Sequence, residues 1–193
     1  MERTENGKER NILIPEKANF LEENCNALLA ISRPEIPERI LQEASTRGLQ
    51  EKPEFHISVI ASRNGRAIAD FLSHVEEAKR IKEQIRDDFI QTQWKYELLD
   101  AYYFLEKFYN AEELKKSGYI DIPEHTRYTL IQEVRLDELG GYYERLARLT
   151  GISFEKPFSH TTLFSGSDYE PMATRGIGVY SQKDLDTYLK AKI

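Results

Sequence analysis

Cysteine is almost absent from this chain: Cys25 stands alone among 193 residues, so neither an intrachain disulfide nor a thiolate metal cluster can form. Long apolar runs are missing as well, and none approaches the length that spans a bilayer. The first residues, "MERTENGKER", carry no apolar signal region. From these absences we expect a cytoplasmic protein with no membrane partner. A basic excess is lacking too. The formal net charge of −6 argues against non-specific nucleic-acid binding, which draws on many phosphate contacts from a basic surface; a small local basic pocket remains compatible with it. No low-complexity tract occurs. What is present, 40% hydrophobic and 11% aromatic residues, suffices for a single globular domain with a real core, in one or two lobes.

Along the chain, "ALLAIS" (27–32) reads as a strand and "PEIPERILQEASTRGL" (34–49) as a helix opened by prolines and closed near Gly48. "EFHISVIAS" (54–62) reads as a strand. From 65 to 89, apolar residues fall at helical spacing opposite a charged face, which predicts one long helix. The Glu/Lys run within it, 76–88, is most simply a solvated face. The aromatic stretch 94–109 reads as a pair of strands, and 110–125 as a polar connection with a short helical piece ending near Gly118. A second strand, helix and strand follow at 126–134, 136–151 and 158–165. The tail is expected to form a strand at 176–181 and a helix at 181–193, with Ser181 as its N-cap. This order predicts a single two-lobed domain with lobes of about 27–110 and 126–193.

Two short motifs recur in equivalent places. "FHISVI" holds His56 and Ser58, and "SHTTLF" holds His160 and Thr162. Residues i and i+2 of a strand project from one face, so each strand offers an imidazole and a hydroxyl together. Phe55, Ile57 and Val59 take the opposite face of the first strand; Leu163 does so in the second, where Thr161 is the polar exception. Paired about a pseudo-twofold axis, the two strands would line one cleft with two imidazoles and two hydroxyls. That set suits metal-free phosphodiester cleavage: one histidine deprotonates the attacking water, the other protonates the departing ribose oxygen, and the hydroxyls donate to the phosphoryl oxygens. No cofactor and no metal is expected. A lone histidine on a strand is ordinarily structural, so the pairing carries the argument.

With these motifs the sequence resembles the two-histidine (2H) phosphoesterase superfamily, which includes 2'-5' RNA ligase-like proteins and cyclic nucleotide phosphodiesterases. The resemblance rests on "FHISVI" and "SHTTLF", on the strand-helix-strand order, and covers the chain from about Ala27 onward. It implies His56 and His160 as general base and acid, and Ser58 and Thr162 as phosphate ligands. Ser58 stands where threonine is common in the family. The resemblance also implies an α+β fold with two antiparallel sheets facing across a cleft and helices outside.

The expected activity is hydrolysis of a 2',3'-cyclic phosphate or a related nucleotide or RNA-end phosphodiester. The alternatives are RNA end processing or 2'-5' ligation with the same four residues, and a nucleotide-binding protein without chemistry. Trp94 and Tyr103 are candidate stacking platforms for a base, with a core role as the competing reading, and Arg175 is a candidate phosphate ligand. His74, on the polar side of the long helix, and His125, in a loop, are expected at the surface. "GIG" at 176–178 is no nucleotide fingerprint, because the remaining glycine and the strand-before, helix-after context are missing.

Overall fold

The structure is a computed structural model and describes residues 10–193. Among these, eight strands form one antiparallel sheet within an α+β fold. Across the sheet run β1 (Lys17–Leu21), β2 (Asn26–Ile31), β4 (Phe55–Ile60), β7 (His160–Ser167), β6 (His125–Leu136), β5 (Tyr96–Tyr109) and β8 (Leu189–Lys192), while the short β3 (Gln50–Glu51) pairs with β7. The expected division into two sheets is thereby corrected. β4 and β7 are joined where Ile57 lies opposite Thr161. Both residues are fully buried, and buried backbone groups at that depth demand a partner. The pairing narrows to this one residue pair, so the strands part on either side of it. β5, which falls in the first of the two expected lobes, pairs instead with β6 and β8.

Helices α1 (Glu38–Thr46), α2 (Ser62–Leu72), α3 (Ala78–Gln91) and α5 (Leu139–Thr150) supply the larger core. Ile40, Ile68, Phe89 and Tyr142 meet Leu29, Ile57 and Leu130 of the sheet there. A smaller cluster joins Leu105 and Ile131 to Ile177, Val179 and Leu185, the last on α6 (Gln182–Tyr188). Strand alternation explains how β6 serves both: Leu130 and Ile131 are neighbours in sequence and point to opposite faces. α2 packs tightly on the turn before β2. A Cβ on Gly65 would collide with the side chain of Asn26 and lie 2.5 Å from the Asn24 carbonyl oxygen.

Four expected elements differ. The long helix is two, broken at 73–77, because the Ser73 hydroxyl and the His74 ring both donate to the Asp70 carbonyl and compete with the helical ladder. The aromatic pair of strands is one strand, β5, whose register with β6 shifts between Leu98 and Tyr102. No glycine, proline or asparagine lies within it to turn a hairpin. The 176–181 strand is an extended segment without a ladder: Ile177 and Val179 are buried by alternation, but the Ile177 N–H donates to the Thr129 hydroxyl rather than to a strand. The C-terminal helix stops at Tyr188, and β8 takes over to cover the outer edge of β5. Ser181 caps α6 as expected, accepting from the Asp184 N–H at 3.2 Å. The connection after β5 holds the short α4 (Ala111–Lys116), capped by Asn110.

Candidate active site

The seam between β4 and β7 builds the site. With Ile57 opposite Thr161, the antiparallel register sets His56 beside Thr162 and Ser58 beside His160, all on the face turned from α1, α2, α3 and α5. The two histidines are then diagonal neighbours across the seam, near enough for His56 to act electrostatically on His160. All four side chains line one cavity of about 570 Å³. The Thr161 side chain turns the other way and is buried with its hydroxyl unpartnered among the described residues.

Each imidazole has a distinct setting. The Nδ1 of His160 donates to the Phe158 carbonyl at 2.8 Å, since a carbonyl can only accept, and this leaves Nε2 as the ring's lone-pair nitrogen. The Phe158 ring stacks on His160 with centroids 5.9 Å apart. Burial pushes the His160 proton affinity below the ordinary 6.5; the Phe158 bond opposes this, and the nearby His56 adds to it. His56 is also held below 6.5, first by loss of hydration at the cleft wall and then by the Lys52 charge, with Glu54 opposing.

Cations crowd the same cavity. The Lys52 N–H donates to the Leu163 carbonyl at 2.9 Å, an extension of the β3–β7 pairing, and the Lys52 ammonium donates to the Thr174 carbonyl at 2.6 Å. Arg175 lies close enough to depress the Lys52 proton affinity further, beyond the larger effect of burial. Both residues line the cavity, as do Arg127, Tyr119 and Tyr180. The segment 174–180 forms one wall, pinned by the bond from Ile177 to Thr129.

The structure thus brings together His56, Ser58, His160, Thr162 and Arg175, and sets two expected contacts elsewhere. Trp94 is 4% exposed, packs against Phe89 and Tyr142, and donates its indole N–H to the Phe89 carbonyl at 2.8 Å. Buried and with its donor occupied, it has no exposed surface on which to stack a base. Tyr103 is buried behind the site, edge-on to Phe158, with its hydroxyl donating to Glu133 at 2.6 Å. It buttresses the ring that stacks on His160. His74 is exposed, whereas His125 is 2% exposed at the start of β6, a correction explained by the rings of Tyr109 and Tyr169 that flank it.

Sequence reasoning missed Lys52, Arg127, Tyr119 and Tyr180. Only Arg127 carried a signal: in "TRYTLIQEV" it shares a face with Thr129 and Ile131, so the alternation already placed a cation on a row that ends in core. Among the described residues, no group of three or more His, Cys, Asp or Glu side chains is arranged to hold a metal ion. No helix is long and apolar enough to cross a membrane among those residues. No protein-family model, curated protein or solved structure matches this chain.

Proposed function

We propose that the protein is a metal-independent phosphodiesterase of the two-histidine type, acting on a 2',3'-cyclic phosphate or a related nucleotide diester. The observation that carries this reading is the β4–β7 register, through which two His-x-Ser/Thr motifs far apart in sequence line one cavity. The repeated strand-helix-strand units, β2–α1–β4 and β6–α5–β7, support the family resemblance and a pseudo-twofold relation through the Ile57–Thr161 pair. The cations Lys52 and Arg175 suit an anionic substrate.

In the reaction, a neutral imidazole takes a proton from water as the water oxygen bonds to phosphorus. The bond from phosphorus to one ribose oxygen breaks, and the protonated imidazole gives its proton to that oxygen. The product is a phosphomonoester, and solvent returns both rings to their starting states. Ser58 and Thr162 donate to the phosphoryl oxygens as charge builds. Burial lowers the proton affinity of both rings, with Lys52 adding to the effect at His56 and His56 at His160; a bound phosphate anion favours the imidazolium that one of them must become.

The test is turnover of 2',3'-cyclic mononucleotides, linear 2'-5' and 3'-5' dinucleotides and cyclic dinucleotides in excess EDTA, with His56→Ala and His160→Ala proteins alongside. Hydrolysis that survives EDTA and disappears in both variants supports the mechanism. Full turnover by either variant sinks it, and tight nucleotide binding with no turnover of any substrate would favour a binding protein.

A further inference from the structure

Arg127 is a buried cation at the floor of this cavity. It is 5% exposed, and among the described residues no carboxylate lies within ion-pairing distance of its guanidinium. A guanidinium cannot shed its proton to escape the cost of burial, and an unpaired buried charge is among the most expensive features a fold can carry. Its partners are neutral. Nε donates to His125 Nε2 at 2.9 Å, and His125 in turn donates from Nδ1 to the Pro123 carbonyl at 2.8 Å, so the ring is a fixed acceptor. The Tyr109 and Tyr119 rings lie 4.3 and 5.7 Å from the guanidinium carbon, which offsets the charge only in part. One terminal nitrogen contacts the Met172 sulfur at 3.7 Å, a weak acceptor. The remaining donors are available to a ligand, and Arg127 lines both the catalytic cavity and an adjoining recess of about 350 Å³ that reaches Arg66.

Building on the proposed diesterase function, we infer that Arg127 is the core of a second anion subsite, which binds a phosphate of the substrate other than the one held between the histidines. The register separates the two positions. Ile131 lies opposite Thr162 on β7, and Arg127 is four residues further along β6 on the same face; at ~3.3 Å per residue the backbone positions differ by ~13 Å. A guanidinium offers a planar fork that matches two phosphate oxygens, and here His125 and the tyrosines hold that fork in place before the ligand arrives. The substrate class is therefore narrowed from any cyclic or linear diester to one bearing a further phosphate beyond the scissile one. That phosphate has two sources: a terminal monoester on a mononucleotide, or the next internal diester of an oligonucleotide.

The experiment is calorimetric binding to the intact protein of adenosine 3'-monophosphate, adenosine 3',5'-bisphosphate and the dinucleotide ApAp, in wild type, Arg127→Gln and Arg127→Lys, with thermal melts to check folding. In wild type the bisphosphate or the dinucleotide is expected to bind about 10–100-fold more tightly than the monophosphate, the scale of a charge-assisted pair. Whichever ligand gains identifies the source. The ratio should fall to about one in Arg127→Gln and to an intermediate value in Arg127→Lys. The wild-type comparison stands even where a variant fails to fold: monophosphate binding with no gain from either second phosphate overturns the subsite and leaves the diesterase reading intact. A ratio that persists in folded Arg127→Gln overturns it as well. Absence of both nucleotide binding and turnover would overturn the subsite and the diesterase reading together.

Discussion

Replacing His56 by alanine separates chemistry from folding more cleanly than any other change at the site. The side chain loses hydration at the cleft wall but keeps an exposed edge, and it makes no hydrogen bond to another described residue, so its removal belongs with surface substitutions that alter stability by less than ~0.5 kcal/mol. For a chain of this length that is a shift of about 1–2 °C in Tm. Removing a general acid or base costs about 10²–10⁴-fold in rate, which is ~3–5 kcal/mol of barrier. His160→Ala should lose a similar factor in kcat but also forfeits the bond to Phe158, a net loss of ~0.5–1.5 kcal/mol and roughly 1–6 °C. Because both rings serve one transition state, the double variant should be little worse than either single one, far above the product of the two losses. The assay is steady-state hydrolysis of the best substrate beside thermal melts of the four proteins. A His56→Ala protein that keeps its rate, or one whose rate falls only in step with a collapsed Tm, would refute the reasoning.

The two hydroxyls should matter less than the rings: Ser58→Ala and Thr162→Ala are each expected to lower kcat by about 10²-fold, the lower end for one lost transition-state donor, with near-wild-type melts. Since both imidazoles are held below 6.5, the optimum of kcat/KM should lie on the acid side of that value. Lys52→Gln, which removes a charge that lowers His56, should move the optimum to higher pH, as a pH series of initial rates will reveal. The same depression makes the unfolded chain bind protons first on acidification, so the contribution of these two groups to stability is complete above pH 6.5 and is lost as pH falls through their folded values; melts of wild type and the double histidine variant across pH 5–8 should converge toward acid pH. Thr161→Val removes a fully buried hydroxyl that lacks a partner among the described residues and should raise stability by ~1–3 kcal/mol, with a lower Tm counting against it.

Much of the site was legible because strand alternation is a local property. "FHISVI" and "SHTTLF" put each imidazole on the same face as its hydroxyl whatever the strands pair with, and the burial of Ile57 against the openness of His56 follows from that period. Thr161 was legible as an oddity, a polar residue on the apolar side, and it proves to sit at the seam. Trp94 and Tyr103 were misplaced for the opposite reason: an aromatic ring fits a core and a cleft equally well, and only the neighbours that close around it decide. The split of the long helix was hidden because Ser73 and His74 break it through hydrogen bonds to Asp70, not through a proline or glycine.

Residue type and order were enough to assign most element positions and the four side chains that meet at the seam, because periodicity and capping act over a few neighbouring residues; the mixed α+β class came with the family resemblance those motifs carry. The tertiary structure decided that β4 and β7 join a single sheet, that Lys52 reaches the cavity by way of β3, and that Arg127 and His125 are buried beside it. Those outcomes depend on which distant strands share a core. Strand pairing across a long loop is selected by the burial of the whole apolar surface, and no local window contains that sum.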